Sequence, residues 1–332
     1  MGGVVLGVDG GNSKTEYLLF TTNGDFVDYL RGGSCSHERF PDGYAGAKRV
    51  MHDNITALLD RNALDIGDVE SAAFGLAGLD IPVQKRTLEG IIRAFGFRRF
   101  VCDNDAFLGV KAGSPSGWGV CSINGSGMVA GGIGVDGERL QVGGIGEIVG
   151  DESGGYFLAR RAVRAVYDSL YRQSAPTGMA DHVMALLQTD KRHYMEAVSL
   201  HLTSRTLPEL EIMRCLFAEA DRGDEVAVTI VKNSALQLAK STAGCIENLK
   251  FHEDVPVILA GSVWVKAETD LLFMEYQKDM ARLTQKVCHY VKLLVPPATG
   301  AVLWALELYY GKSIGEETRR RVIENVAEQM KR

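Results

Sequence analysis

The sequence predicts an α/β protein of two domains, each built on a mixed sheet with helices on its faces. Three observations carry this expectation. A pattern of strand, glycine turn, strand and hairpin occurs twice, with little identity between the copies. Each copy is followed by strands alternating with helical segments, the order typical of a mixed sheet. A chain of 332 residues also exceeds the size at which a single core stops growing.

The first copy opens with VVLGVD (Val4 to Asp9), turns at Gly10-Gly11-Asn12-Ser13 and continues as TEYLLF (Thr15 to Phe20). Asn23-Gly24, a strong hairpin signal, leads into FVDYLR. Apolar residues at helical spacing (Val50, Ile55, Leu58, Leu59) predict an amphipathic helix from Tyr44 to Arg61. Strand Ser71 to Ala77, helix Val83 to Phe95, strand FRRFVC and helix Asp105 to Ala112 follow. The polar, turn-forming Ser114-Pro115-Ser116-Gly117 is the natural boundary. Residues 1–115 are therefore expected to form one domain and residues 116–311 the other, with a helical insertion.

The second copy runs WGVCSI (Trp118 to Ile123), Asn124-Gly125-Ser126-Gly127, MVAGGI (Met128 to Ile133), then Asp136-Gly137 into ERLQV. Helices are predicted at Gly155 to Tyr171, Gly178 to Leu187, Tyr194 to Leu202, Leu207 to Ala220 and Asp224 to Leu249, the last with Asp224 as N-cap. Strand Val255 to Gly261, helix Leu271 to Leu283, strand VKLLV and helix Ala298 to Tyr310 close this half. A last helix, Glu316 to Met330, lies in the segment 312–332, which the sequence assigns to neither domain.

Composition removes several function classes. The 38 glycines exceed the usual share of about 7%, but 46% hydrophobic residues and only 8 prolines exclude collagen and low-complexity disorder. The glycines cluster at strand ends, where backbone turns tightly or approaches a ligand. A net charge of −6 argues against a nucleic-acid partner, and Arg319-Arg320-Arg321 reads as a solvated helix face. The start, MGGVVLGVDGG, reads as a strand and not a signal peptide, and no apolar run reaches membrane-spanning length. A soluble cytoplasmic protein without a membrane partner is expected. The six cysteines are widely spaced without C-x-x-C, which fits buried thiols in a reducing cell better than a zinc site.

A glycine turn between buried strands presents backbone N–H groups that can bind phosphate, and Asp9 adds a carboxylate where hydrated Mg²⁺ would sit. Two plain hairpins with an N-terminal Asp remain the simpler alternative. G-x-x-x-x-G-K-[ST] is absent. Gly125-Ser126-Gly127-Met128-Val129-Ala130 fits the dinucleotide fingerprint but is followed by β-rich sequence and not by the helix that fingerprint opens. In VCDNDAFLG, Asp103 or Asn104 reads as a helix cap, while Asp105 is a candidate base for a hydroxyl that attacks a γ-phosphate. In VGGIGEIVGDESGG, Asp151 and Glu152 read either as caps or as acceptors on a glycine-lined wall suited to sugar hydroxyls.

Taken in order, GVDGGNSKTEYLLF, VCDNDAFLG, SINGSGM, GGIGEIVGDESGGYFLARRAV and VILAGSVW closely resemble the N-acetylglucosamine kinases of the BadF/BadG/BcrA/BcrD group, within the sugar kinase, Hsp70 and actin superfamily. The resemblance covers Val4 to about Leu308. It implies a two-domain actin-like ATPase fold of the ribonuclease H-like type, with ATP and Mg²⁺ in the cleft between domains, and a homodimer. By position it implies phosphate loops at Gly10, Gly11, Asn12, Ser13 and Lys14 and at Gly125, Ser126 and Gly127, with Mg²⁺ held near Asp9 through water. It implies an adenosine-contacting turn at Gly261, Ser262, Val263 and Trp264, and a catalytic base at Asp105. Sugar contacts are implied at Ser36, His37, Gly144, Ile145, Gly146 and Asp151, besides Asp105.

This chain departs from the family mainly on the sugar side. Ile145 stands where an aromatic is frequent and Ser36 where an asparagine is frequent, which removes a stacking face and an amide. Glu147 adds charge nearby. The expected activity is ATP-dependent phosphorylation of N-acetylglucosamine at the 6-hydroxyl, with glucosamine or N-acetylmuramic acid as alternative acceptors. Two other roles compete: an iron–sulfur ATPase that activates a 2-hydroxyacyl-CoA dehydratase, for which Cys102 and Cys121 are the only candidate ligands, and a non-catalytic sugar sensor.

Overall fold

The computed structural model describes residues 3–329. Strands β1 (Val4–Gly10), β2 (Lys14–Thr21), β3 (Phe26–Gly33), β4 (Val69–Leu76) and β5 (Phe100–Asp103) form one sheet in the order β3-β2-β1-β4-β5. Strands β6 (Gly119–Asn124), β7 (Met128–Ile133), β8 (Arg139–Gly143), β9 (Asp254–Ala260) and β10 (Val287–Lys292) form a second in the order β10-β9-β6-β7-β8. In each, the opening meander is antiparallel and the two later strands are parallel, so the plan is repeated.

Helices α1 (Tyr44–Asp60) and α2 (Pro82–Ala94) cover the outer face of the first sheet, where Met51, Ile55 and Ile92 pack with Leu6, Val8 and Phe74. Helix α3 (Ala106–Gly113) follows β5. The insertion comprises α4 (Gly155–Tyr171), α5 (Met179–Leu186), α6 (Tyr194–Ser204), α7 (Glu209–Asp221) and α8 (Glu225–Asn248). Asp224 caps α8 as expected, accepting from the Ala227 N–H at 2.8 Å. The short α9 (Ser262–Lys266) and α10 (Leu271–Leu283) join the insertion on the outer face of the second sheet. Helices α11 (Ala298–Tyr310) and α12 (Glu316–Gln329) end the described chain. The expected last residue of the final helix, Met330, lies outside the described residues. No helix among the described residues is long and apolar enough to cross a membrane.

The core between the two sheets comes from α3 and α11. It joins Val5, Leu18 and Ala73 of the first sheet to Cys121, Ile258 and Ala260 of the second through Phe107, Leu108, Ala301 and Val302. Every residue of α11 from Ala298 to Leu306 is buried, so this helix needs apolar neighbours on all sides. Glycines permit the contact: a Cβ on Gly7 would stand 2.6 Å from the Val302 nitrogen, and one on Gly300 would overlap the Leu108 carbonyl oxygen.

Two expectations are corrected here. Helix α11, drawn within residues 116–311, packs on β1 and β4 of the first sheet as well as on α3. The last strand is Val287–Lys292 and not VKLLV: Leu293 donates one more bond to the Leu259 carbonyl at 2.9 Å, and then Leu294 to Pro297 leave the sheet. Pro296 and Pro297 have no N–H to offer a ladder. The undecided C-terminal helix α12 lies on α11 and β3, and Arg319 donates to the carbonyls of Lys111 and Ala112 at the end of α3.

Candidate active site

A cleft of 690 Å³ opens where the glycine turns of the two sheets face one another. Gly11, Asn12, Ser13 and Lys14 line it from the β1–β2 turn, and Gly125, Ser126 and Gly127 from the β6–β7 turn. The first turn is closed by the Gly11 N–H donating to the Lys14 carbonyl at 2.9 Å and is braced by the Ser34 hydroxyl on the Gly11 carbonyl at 2.9 Å. The second is held against the start of α4, whose Gly155 and Tyr156 amides donate to the carbonyls of Gly125 and Ser126 at 2.8 and 3.1 Å. Ser153 fixes that start further by donating to Asn124 Oδ1 at 3.1 Å.

After β9, Gly261, Ser262, Val265 and Lys266 line the cleft opposite Leu294 to Pro297. Gly261 has φ +100° and lies on the backbone of Asn124, where a Cβ would stand 2.5 Å from the carbonyl oxygen. Val263 and Trp264, expected to contact adenosine, do not line the cleft. They are turned into the core, and Trp264 packs edge-on to Tyr276 with its Nε1–H on the Ser122 hydroxyl at 3.4 Å. The segment is a one-turn helix, so successive side chains face different ways. Gly10 also lies outside the lining, since its Cα faces Cys35 and Leu76.

Negative charge concentrates on the cleft floor. Asp9 is the penultimate residue of β1 and stands directly opposite Glu16 in the antiparallel ladder. Burial, then the carboxylates of Asp105 and Glu16, push the Asp9 carboxyl up to about 8, while Lys14 and the Ala298 amide partly offset this. Glu16 is itself only 2% exposed and pairs with Lys14. No group of three or more His, Cys, Asp or Glu among the described residues is placed to hold a metal alone. One deep carboxylate, with Asp105 and the Lys14-paired Glu16 beside it, is instead the donor set that suits a hydrated divalent cation completed by phosphate oxygens.

Asp105 begins α3 and lines the cleft. Burial first, and Asp80 second, push its carboxyl up to about 6, against the pull of its own and the Ala106 amide. Of the expected caps, Asn104 fills that role, accepting from the Ala106 N–H at 2.9 Å. Asp103 is engaged elsewhere, paired with Lys85 at 2.7 Å and with Arg139 of β8 at 2.8 Å.

On the sugar side, Gly144 lines the cleft, whereas Ile145 is 55% exposed and does not, and neither does Gly146. Asp151 does not cap α4. Its Oδ2 accepts from the amides of Gly144 and Gly146 at 2.9 and 2.6 Å, bending the loop into a tight arch. Both glycines have positive φ, +98° and +109°, which a side chain would strain. Asp151 Oδ1, Ser36 Oγ and His37 Nδ1 are buried without a hydrogen-bond partner, and the His37 ring stacks on Tyr44 at 4.2 Å.

Sequence reasoning missed Asp80, Glu38 and Glu16, all of which line the cleft. Asp80 Oδ1 accepts from Asn104 Nδ2 at 3.1 Å and from Gln141 Nε2 at 2.6 Å, linking the loop after β4 to β8 of the other sheet. For Asp80 and Glu38 the available signal was a carboxylate in the loop after a strand, whereas Glu16 lies within β2 and offered none.

The model of the BadF/BadG/BcrA/BcrD ATPase family matches residues 6–305. An N-acetylmuramic acid/N-acetylglucosamine kinase of Clostridium acetobutylicum is 25% identical over 304 residues, covering 91% of this chain and 97% of that relative. A candidate N-acetylglucosamine kinase from Chromobacterium violaceum superposes with a TM-score of 0.67 at 19% identity, over 93% of this chain and 99% of that one. A ROK family glucokinase from Streptomyces griseus, solved with glucose and AMPPNP, superposes with a TM-score of 0.52 at 16% identity, over 90% and 97%. The expected actin-like ATPase fold is thus the one observed. With the family match spanning both sheets and all the glycine turns, the chain belongs to the BadF/BadG/BcrA/BcrD ATPase family.

Proposed function

We propose that this chain is an ATP-dependent hexosamine kinase that transfers the γ-phosphoryl group to the 6-hydroxyl of an amino sugar. The names of the curated relatives favour N-acetylglucosamine as acceptor. The observation that carries the reading is Asp105, an aspartate with its carboxyl near 6, on the floor of a cleft whose facing turns present backbone to an anion.

In this reading the two glycine turns and Lys14 bind and orient the β- and γ-phosphates, with the segments around Gly261 and Leu294 to Pro297 against the nucleoside. Asp9 would hold Mg²⁺ through water, and the ion, when bound, neutralises charge on the phosphate oxygens. Asp105 accepts the proton of the attacking hydroxyl and aligns its oxygen with the γ-phosphorus. The Asp151 arch places Gly144 against the sugar, and closing of the cleft excludes water that would otherwise compete as acceptor.

The iron–sulfur alternative is disfavoured by burial: Cys102 and Cys121 are 1% and 0% exposed, within strands, and cannot reach a subunit boundary as cluster ligands. A sensor role is disfavoured because Asp9 and Asp105 both occupy the cleft. A coupled assay of ADP release over N-acetylglucosamine, glucosamine, N-acetylmuramic acid and glucose tests the reading. Turnover with an amino sugar supports it, and no turnover with any of the four overturns it.

A further inference from the structure

We infer that Asp80 is a positioning residue for the phosphoryl transfer: through Asn104 it fixes the turn that carries Asp105, and through Gln141 it keeps that turn in register with the facing wall of the second sheet. The inference deepens the hexosamine-kinase reading and rests on it.

Asp105 is the middle residue of the turn Asn104-Asp105-Ala106. The Asn104 Oδ1 reaches over it to accept from the Ala106 N–H at 2.9 Å, and Asp105 has helical backbone angles, φ −63° and ψ −21°. Where the base stands therefore depends on which way the Asn104 amide faces. Turned half a revolution, that amide would set its NH2 group against the Ala106 N–H, donor against donor, and the turn would open. Asn104 is 2% exposed, so the choice falls to its protein neighbours. Asp80 Oδ1, an acceptor, takes the Asn104 Nδ2 at 3.1 Å, and the Leu79 carbonyl adds a longer contact of 3.4 Å to the same nitrogen.

Asp80 is itself anchored. Its N–H and that of Ile81 both donate to Gln84 Oε1, at 2.7 and 2.9 Å, which ties the loop after β4 to the first turn of α2. Its Oδ1 also accepts from Gln141 Nε2 at 2.6 Å, and that nitrogen donates in addition to the Gly143 carbonyl at 3.1 Å. The next residue, Gly144, lies so close that a Cβ on it would stand 2.9 Å from Asp80 Oδ1. Contacts thus run without a break from the turn of the base through Asn104, Asp80 and Gln141 to the arch that Asp151 holds. Arg139, two residues before Gln141 on β8, pairs with Asp103 at 2.8 Å and fastens the same strand to the first sheet a second time. Loss of the Asp80 carboxylate should therefore leave the two sheets joined and act locally on the base.

The test compares Asp80→Ala, Asp80→Asn and Asn104→Ala in the full chain, with an amino sugar that the wild type turns over. A misplacement of about 1 Å costs on the order of 10² in rate, so Asp80→Ala should lower kcat by about 30-fold while the ATP KM stays within about twofold. Asp80→Asn keeps an acceptor for Asn104 and Gln141 and should recover kcat to within about fivefold of wild type. Because Asp80 acts through Asn104, Asn104→Ala should cost about as much, and adding Asp80→Ala to it should lower kcat by no more than about threefold again. Hydrogen exchange at the Ala106 amide, followed without sugar or nucleotide, should speed up by about tenfold in Asp80→Ala and stay near the wild-type rate in Asp80→Asn. A kcat within about threefold of wild type in Asp80→Ala, full additivity of the two alanine changes, or an unmoved Ala106 exchange rate overturns the inference. If the wild type turns over no sugar, the kinase reading falls by itself, and the exchange rates still decide whether Asp80 sets the turn.

Discussion

Replacing Asp9 with Asn should stabilise the metal-free protein at alkaline pH while abolishing turnover. An unfolded aspartate titrates near 3.8, whereas the folded Asp9 carboxyl is pushed up to about 8 by burial and by Asp105 and Glu16. The folded state therefore binds more protons between these values, so the contribution is present at low pH and is lost as pH rises through about 8. At 1.36 kcal/mol per pH unit, the loss between pH 5 and pH 8 is on the order of 4 kcal/mol. For a protein of this size that corresponds to roughly 6 °C in Tm. Scanning calorimetry in EDTA at pH 5 and pH 8 measures the effect as the difference between Asp9→Asn and wild type, which cancels other titrating groups. The variant should gain about 6 °C on the wild type between the two pH values, and excess Mg²⁺ with ADP should shrink that gain by compensating the wild-type charge. Parallel Tm curves for the two proteins would refute the assignment of crowded, uncompensated charge to Asp9.

Asp105→Asn should lower kcat by about 10² or more with sugar affinity within a few fold, and near-normal turnover would remove Asp105 as the base. Because the protonated carboxyl cannot accept a proton, wild-type kcat/KM should fall as pH drops through about 6, and that limb should be absent from any residual activity of the variant. Asp151→Ala leaves the Gly144 and Gly146 amides without their acceptor, so the sugar KM should rise by about tenfold while the ATP KM stays unchanged. A parallel rise in both would indicate general disorder of the cleft. Gly300→Ala drives a methyl into the Leu108 carbonyl and should cost about 1–3 kcal/mol in urea unfolding, whereas Gly315→Ala, in open space, should cost much less.

The meanders were legible because buried strands between glycine turns leave a plain signature, Asp9 because its carboxylate falls near the end of an apolar strand, and Asp105 because it stands between a strand and a helix. Side-chain direction was not legible. Val263 and Trp264 adjoin Gly261 in the chain, yet the turn of α9 sends them to the core while Val265 and Lys266 face the cleft. Asp80 was hidden because its partner Gln141 is 61 residues away and only the pairing of two sheets across the cleft unites them. The all-round apolar character of α11 requires burial but does not say which sheet supplies its neighbours. Asp151 was visible as a carboxylate among glycines, but its bonding to the amides of its own loop depends on backbone geometry that residue type does not encode.

The return of α11 to the first sheet also bears on synthesis at the ribosome. One face of β1 and β4 is covered only in part by its own half of the chain, through α3, and the helix that supplies the rest begins only at Ala298. The emerging N-terminal half must therefore wait, its central strands only partly covered on one side, until nearly all of the 332 residues have been made. A fragment cut at Ser114 to Gly117 would lack that cover, and the fragment beyond it would lack α3. Each piece is expected to aggregate alone and to recover structure when the two are expressed together.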